Sequence, residues 1–174
     1  MRDIEIKENI LFQIDMCWQL YLYHTENLKE TEALWAFCPT GLQIRKQDDG
    51  WSVDWPESES YEIGPSSIAW IMWHIIYWWR TTLDYNFGDG TLKKEDITWP
   101  GSVEKAKEEI KTLHDKWIEK LINMSDAEYQ SQQYAKWPLE GRSFADTALW
   151  LNGELMKNVA EIGYGRFLYA ACKK

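Results

Sequence analysis

Glu154, Asn158 and Glu161 recur at the spacing i, i+4, i+7. At 100° per residue, an α-helix holds such positions within roughly 60° of one another, so three oxygen-bearing side chains share one face. A fourth chemically active side chain stands far away in sequence. His74 is the single polar residue in the apolar run from Ile68 to Trp79. An imidazole set against a carboxylate and an amide can complete the ligand sphere of a divalent metal. It can also act as a general base. The same pattern suits a hydrogen-bonded core histidine among tryptophans. Glu154 and Glu161 can equally be solvated, because Lys157 lies beside both. His24 and His114 read as surface or boundary residues. Cys17, next to Trp18 and with no basic neighbour, reads as packing rather than as a nucleophile. Gly88-Asp89-Gly90 reads as a helix stop, not a phosphate cradle.

These groups need long helices to present them. Phe144, Ala148, Leu151, Leu155, Val159 and Ile162 form an apolar stripe that predicts a helix over 143–170. Gly153, Gly163 and Gly165 weaken it unless another helix or a ligand approaches closely there. His74 belongs to a helix predicted over 65–87, opened by Pro65 and stopped by Gly88 and Gly90. That helix is apolar all round, so it is central to a bundle or shared with a partner subunit. Ile6, Ile10, Ile14, Trp18 and Tyr21 predict a first helix over 3–24, with a short helix following around 30–35. Ser102 caps a helix over 102–124, whose stripe runs from Val103 through Trp117 to Met124. Ser125 and Glu128 have capping-box spacing and start one further turn.

Residues 38–64 form a long irregular connection. Within 42–55, apolar and polar residues alternate on either side of Asp48-Asp49-Gly50, which predicts a short β-hairpin. A connection this long in a compact domain is often functional. Four amphipathic helices and few strands make an all-α bundle, which places its sites between facing helices.

The chain of 174 residues, 45% of them apolar, suits a single folded domain over 1–174. A net charge of −9 and the lack of a basic patch disfavour nucleic acid and anionic membranes. The run from Ile68 to Trp79 is too short to cross a bilayer. Met1 to Glu5 carries no apolar signal core. Cys17, Cys38 and Cys172 are scattered without a CxxC, as reduced thiols of a cytoplasmic protein are. Twelve tryptophans can fill a core, line a pocket or build an oligomer contact.

Pro65-Ser66-Ser67-Ile68-Ala69-Trp70-Ile71-Met72-Trp73-His74-Ile75 resembles the second helix of the DinB-like superfamily. Leu28 to Trp35 resembles the stretch after that family's first helix, and the order of elements matches over nearly the whole chain. The resemblance implies an up-down-down-up four-helix bundle, often dimeric. In the family, one histidine of helix two joins two from an HxxxH on helix four, often followed by Arg-Gly-Gln. His74 matches the helix-two ligand. Ala160-Glu161-Ile162 best matches the Gly-Gln-Ile that closes the motif, which puts Glu154 and Asn158 where the two histidines would stand. A shift of one residue would put Gly153 and Lys157 there, which form no usual site.

The resemblance therefore implies a degenerate site at His74, Glu154 and Asn158. It would hold a divalent metal, zinc or nickel, more weakly than three imidazoles do, or stand empty. Glu161 is expected beside it, with Trp70, Trp73 and Trp78 as the pocket wall. Relatives include thiol-dependent S-transferases and a thiol-dependent isomerase. The expected function is a metal-dependent transferase or hydrolase acting on a small polar or thiol-containing compound. The alternative is a non-catalytic bundle that binds a small ligand or a protein partner through its aromatic surface. A homodimer is expected from the surplus of apolar surface on helix two and from family habit.

Overall fold

Three of the four long helices begin at a serine whose hydroxyl takes a free N–H of the first turn. Ser67 accepts from Trp70, Ser102 from Lys105 and Ser143 from Asp146. These caps fix the starts of α3 (Ile68–Phe87), α4 (Val103–Asn123) and α6 (Phe144–Cys172) in a computed structural model that describes residues 6–58 and 60–173. The first helix, α1, spans Ile6–Thr25, and the expected residues 3–5 lie outside the described ones. Short elements connect them: α2 (Glu30–Ala33), a hairpin of β1 (Ile44–Gln47) and β2 (Gly50–Val53), and α5 (Asp126–Gln130). The hairpin is antiparallel, with Ile44 opposite Val53 and Gln47 opposite Gly50. On α5, Ser125 and Glu128 close the expected capping box.

Helix α3 starts three residues after Pro65. Ser67 keeps an extended backbone, donates its N–H to Leu42 O at 2.9 Å and caps the helix with its hydroxyl. The entry to α3 is thereby pinned to the start of the hairpin segment.

Side-chain contacts give the direction of each helix. Cys17 reaches the Asn152 carbonyl, and His24 lies against Gly163, so α1 and α6 run parallel. His74 meets Asn158 and Trp78 meets Trp150, so α3 and α6 are antiparallel. Arg80 pairs with Glu109 and Phe87 packs on Trp117, so α3 and α4 are parallel. Trp18 stacks on His114 while Lys7 reaches the Ile122 carbonyl, so α1 and α4 are antiparallel. The bundle is up-down-down-up.

One core runs through it, from Ile10, Ile14 and Tyr21 through the α3 run to Trp117, Phe144 and Leu155. The apolar excess of α3 is used inside the monomer. Residues Ile68 through Ile76 and Trp79 are buried, and Tyr77 and Trp78 are half-buried. The surplus that suggested an exposed α3 face is absorbed because three layers cover it: α4, α6 and the connection before it. Trp70 donates its indole N–H to Asp54 O at 2.7 Å, and Trp73 donates to Ile97 O at 2.8 Å. No helix among the described residues is long and apolar enough to cross a membrane.

Candidate functional site

The stripe on α6 and the histidine on α3 meet. His74 Nδ1 lies 3.0 Å from Asn158 Oδ1, and both residues are buried. Asn158 is oriented by its own helix, because its Nδ2 donates to Glu154 O at 2.8 Å. That leaves Oδ1 as the atom facing the imidazole. The other ring nitrogen, Nε2, lies 2.8 Å from Trp78 Nε1. An indole N–H can only donate, so Nε2 accepts, and the neutral ring carries its proton on Nδ1 and gives it to Asn158. Trp70 covers one face of the ring, stacked at 4.7 Å between centroids. Tyr77 lies parallel to it at 6.3 Å.

Glu154 is tied in through its backbone carbonyl. Its carboxylate Oε2 lies 2.8 Å from Lys157 Nζ. Asn158 therefore bridges His74 and the turn that carries Glu154. Glu161, one turn further along α6, is solvent-exposed at its surface. The protein around it still raises its carboxyl above the ordinary value, chiefly by excluding water, with Glu154 adding and Lys157 opposing.

Glu161 borders a cleft of about 260 Å³ between the entry of α3 and the second half of α6. Phe37, Pro65, Ile71, Tyr164 and Leu168 form its apolar walls. Ile71 and Glu161 sit one turn from His74 and Asn158 on their respective helices, so the cleft and the polar centre adjoin. A glycine makes the approach possible: a Cβ on Gly165 would stand 2.8 Å from the Phe37 ring and 3.1 Å from Ile68. A larger groove of about 590 Å³ lies between α3 and α4, where Arg80 and Glu109 are already paired at 2.7 Å.

The sequence led to the expectation that His74, Glu154 and Asn158 converge with Glu161 adjacent; His74 does meet Asn158, but the Glu154 carboxylate turns to Lys157, and only its backbone carbonyl reaches Asn158. Trp70 and Trp78 surround the imidazole itself, and Trp73 packs on Trp70 and Tyr77. None of the three lines the cleft that Glu161 borders, whose aromatic walls are Phe37 and Tyr164. The hydrogen bond from Trp78 to His74 was legible in principle, since residues i and i+4 face each other on a helix. So was Tyr77, at i+3.

The donor set fits a metal poorly. Both ring nitrogens of His74 are engaged, the Asn158 oxygen accepts from one of them, and the Glu154 carboxylate faces Lys157. Among the described residues, no three His, Cys, Asp or Glu side chains are grouped so that they could hold a metal ion.

The sequence model of the DinB superfamily matches residues 13–162, a span that takes in α3 and α4, most of α1 and α6, and His74, Glu154, Asn158 and Glu161, but not the cleft residues Tyr164, Gly165 and Leu168. No curated protein and no solved structure matches the chain. With most of its length under that match, the chain belongs to the DinB superfamily.

Proposed function

We propose that this protein is a small-ligand-binding bundle in which the family's metal centre has become a hydrogen-bonded polar cluster. His74, Asn158 and the Glu154 turn hold one another, and the adjoining cleft takes the ligand. The observation that carries this reading is the Trp78 indole N–H on His74 Nε2. It uses the lone pair that a metal would need. The apolar walls with a single carboxylate at Glu161 suit a compact apolar body with one hydrogen-bond-donating or basic end. Free cysteines at 17, 38 and 172 suit a reducing compartment, and the reading places the protein in the cytoplasm, as a homodimer. The rival reading keeps a metal-dependent transferase or hydrolase on a small polar or thiol-containing compound. It draws support from His74 facing the α6 stripe where the family ligand would be.

Calorimetric titration of zinc and nickel into chain purified without chelator separates the two, using the wild type and His74→Ala. The expected result is no stoichiometric uptake by either chain. The substitution should lower unfolding free energy by about 1–3 kcal/mol, since it strands the buried Asn158 and Trp78 groups. One-to-one uptake by the wild type, abolished in His74→Ala with the fold intact, would establish the rival instead.

A further inference from the structure

Glu161, Tyr164 and Leu168 border the cleft beside the polar centre, and they stand at i, i+3 and i+7 on α6. Helical spacing therefore lines up a carboxylate, a phenol ring and an isobutyl group along one wall. Phe37, Pro65 and Ile71 supply the other walls. The Phe37 ring is fixed from two sides. It packs edge-on against Trp35 at 5.0 Å, which in turn packs edge-on against Tyr169 at 5.4 Å, and the missing Cβ of Gly165 leaves it room. A wall held in this way loses little freedom when a ligand arrives. The cleft of about 260 Å³ matches the liquid volume of roughly nine water molecules, which sets the occupant at about nine or ten non-hydrogen atoms.

Charge decides the chemistry of that occupant. Glu161 is the one charged residue among the described lining of the cleft. Its neighbouring cations on α6 are committed to other partners. Lys157 pairs with Glu154 at 2.8 Å, and Arg166 pairs with Glu32 at 2.8 Å and binds the carbonyls of His24 and Glu26. Among the described residues, no lysine, arginine or histidine stands within ion-pair distance of the Glu161 carboxylate. The protein around it withdraws part of its water, which is why its carboxyl is raised. A carboxylate short of both water and a counter-charge gains more from a cation than from a neutral donor, because charge on both partners strengthens the hydrogen bond. The aromatic walls favour the same choice, since rings such as Phe37 and Tyr164 attract cations. An anion would meet Glu161, Glu154 and the net charge of −9. The start of α3 adjoins the cleft through Pro65 and Ser66, and its positive end would draw an anion, but the Ser67 hydroxyl already takes the Trp70 N–H there.

We propose, resting on the ligand-binding reading above, that the cleft takes a small protonated amine, with its ammonium on the Glu161 carboxylate and its apolar body among Phe37, Ile71, Tyr164 and Leu168. Glu161 then determines specificity by charge, and the apolar walls determine it by size.

Three probes of about the required size differ in charge: 2-phenylethylamine, 2-phenylethanol and phenylacetate. Each is titrated into the full chain at about pH 7.5, where the amine is protonated, and followed by backbone amide chemical shifts. The amine is expected to bind roughly tenfold more tightly than the alcohol, and phenylacetate more weakly than either. Glu161→Gln should bring the amine to the affinity of the alcohol while leaving the alcohol within about twofold. Glu161 is exposed, so this change leaves folding intact. Glu140→Gln, at an exposed carboxylate outside the cleft, alters the net charge equally and should keep the preference for the amine. Tyr164→Ser, at a position 66% exposed, removes a wall and should weaken amine and alcohol alike. An alcohol that binds the wild type as tightly as the amine would overturn the cation and leave the small-ligand reading standing. A preference that survives Glu161→Gln, or binding that Tyr164→Ser leaves unchanged, would overturn the assignment to this cleft. No binding of any probe up to about 10 mM would overturn the ligand-binding reading itself, and the amine with it.

Discussion

His114 illustrates how a single residue acquires a role from its neighbours. Its ring lies 3.9 Å from that of Trp18, nearly parallel, and its Nδ1 is 3.1 Å from Asp115 Oδ1. Burial lowers its pKa below the ordinary 6.5, and this outweighs the Asp115 hydrogen bond, which acts the other way; Lys111 adds to the lowering, and Asp15 opposes it. The folded state therefore favours the neutral ring. Stability from this group is complete above about pH 6.5 and is lost as pH falls through the lowered folded value. His24 acts in the same direction, through burial first and Arg166 second. His114→Phe keeps a ring on Trp18 and cannot be protonated. Its urea midpoint should fall less between about pH 7.5 and about pH 5.5 than that of the wild type. Parallel pH profiles for the two chains would refute this account. At the polar centre, the tautomer of His74 follows from its partners, since an indole donor on Nε2 and an amide oxygen on Nδ1 together select one.

At the scale of elements, the helices are held by caps at their starts and by buried amides along their lengths. Asn152 is fully buried on α6, and its Nδ2 donates to Ile10 O and Gln13 Oε1 on α1. Arg166 binds the end of α1 through the carbonyls of His24 and Glu26, and pairs with Glu32 of α2 at 2.8 Å. Asn86, at the end of α3, organises the segment before α6. Its Oδ1 accepts from Lys136 N at 2.8 Å and Trp137 N at 3.1 Å, while its Nδ2 donates to Trp137 O at 2.7 Å and Thr82 O at 2.9 Å. Asn86→Ala should lower unfolding free energy by about 2–4 kcal/mol, because it leaves several backbone groups without partners. Denaturant unfolding measures it, and a loss within about 0.5 kcal/mol would show that water replaces the amide there. Such clamps are invisible to periodicity. An asparagine near a helix end reads as a surface or capping residue, and only the fold shows that it faces a loop fifty residues away.

The whole molecule sets a core rich in aromatic residues inside a strongly acidic shell. Assembly of the proposed homodimer would bring two charges of −9 together at long range. At low ionic strength that repulsion extends to about 30 Å, and at physiological salt to about 8 Å. Association should therefore tighten as sodium chloride is raised from about 0.01 M to about 0.15 M, the opposite of what interfacial ion pairs would give. Sedimentation across that series checks it, and a dimer that weakens with salt would point to charged contacts instead. The up-down-down-up order also accounts for the long segment between α1 and α3. These two helices lie on a diagonal of the bundle, so the chain must cross its end, and the hairpin covers α3 on the way through Trp70 and Asp54.

Periodicity alone determined the helices, because burial on one side of a 3.6-residue repeat is a local property. The stripes of α1, α4 and α6 and the caps at Ser102 and Ser125 were written in residue types a few positions apart, whereas Ser67 rather than Pro65 opens α3, and the hairpin turns on Asp48 and Asp49 with Gly50 already paired to Gln47. It also determined that Glu154, Asn158 and Glu161 share a face. Tertiary structure decided everything that depends on which element lies across from which. It buried the apolar excess of α3 within one chain and left side chains such as Phe12, Met16, Tyr164 and Phe167 exposed on α1 and α6. It divided three glycines of one helix into two that admit His24 and Phe37 and one that faces outward. It gave His74 Nε2 to Trp78, and so turned a residue whose spacing suggested a ligand sphere into the centre of a hydrogen-bonded cluster. The physical reason is common to all of these. A side chain's partners across helices are set by packing and crossing geometry, which no local pattern encodes.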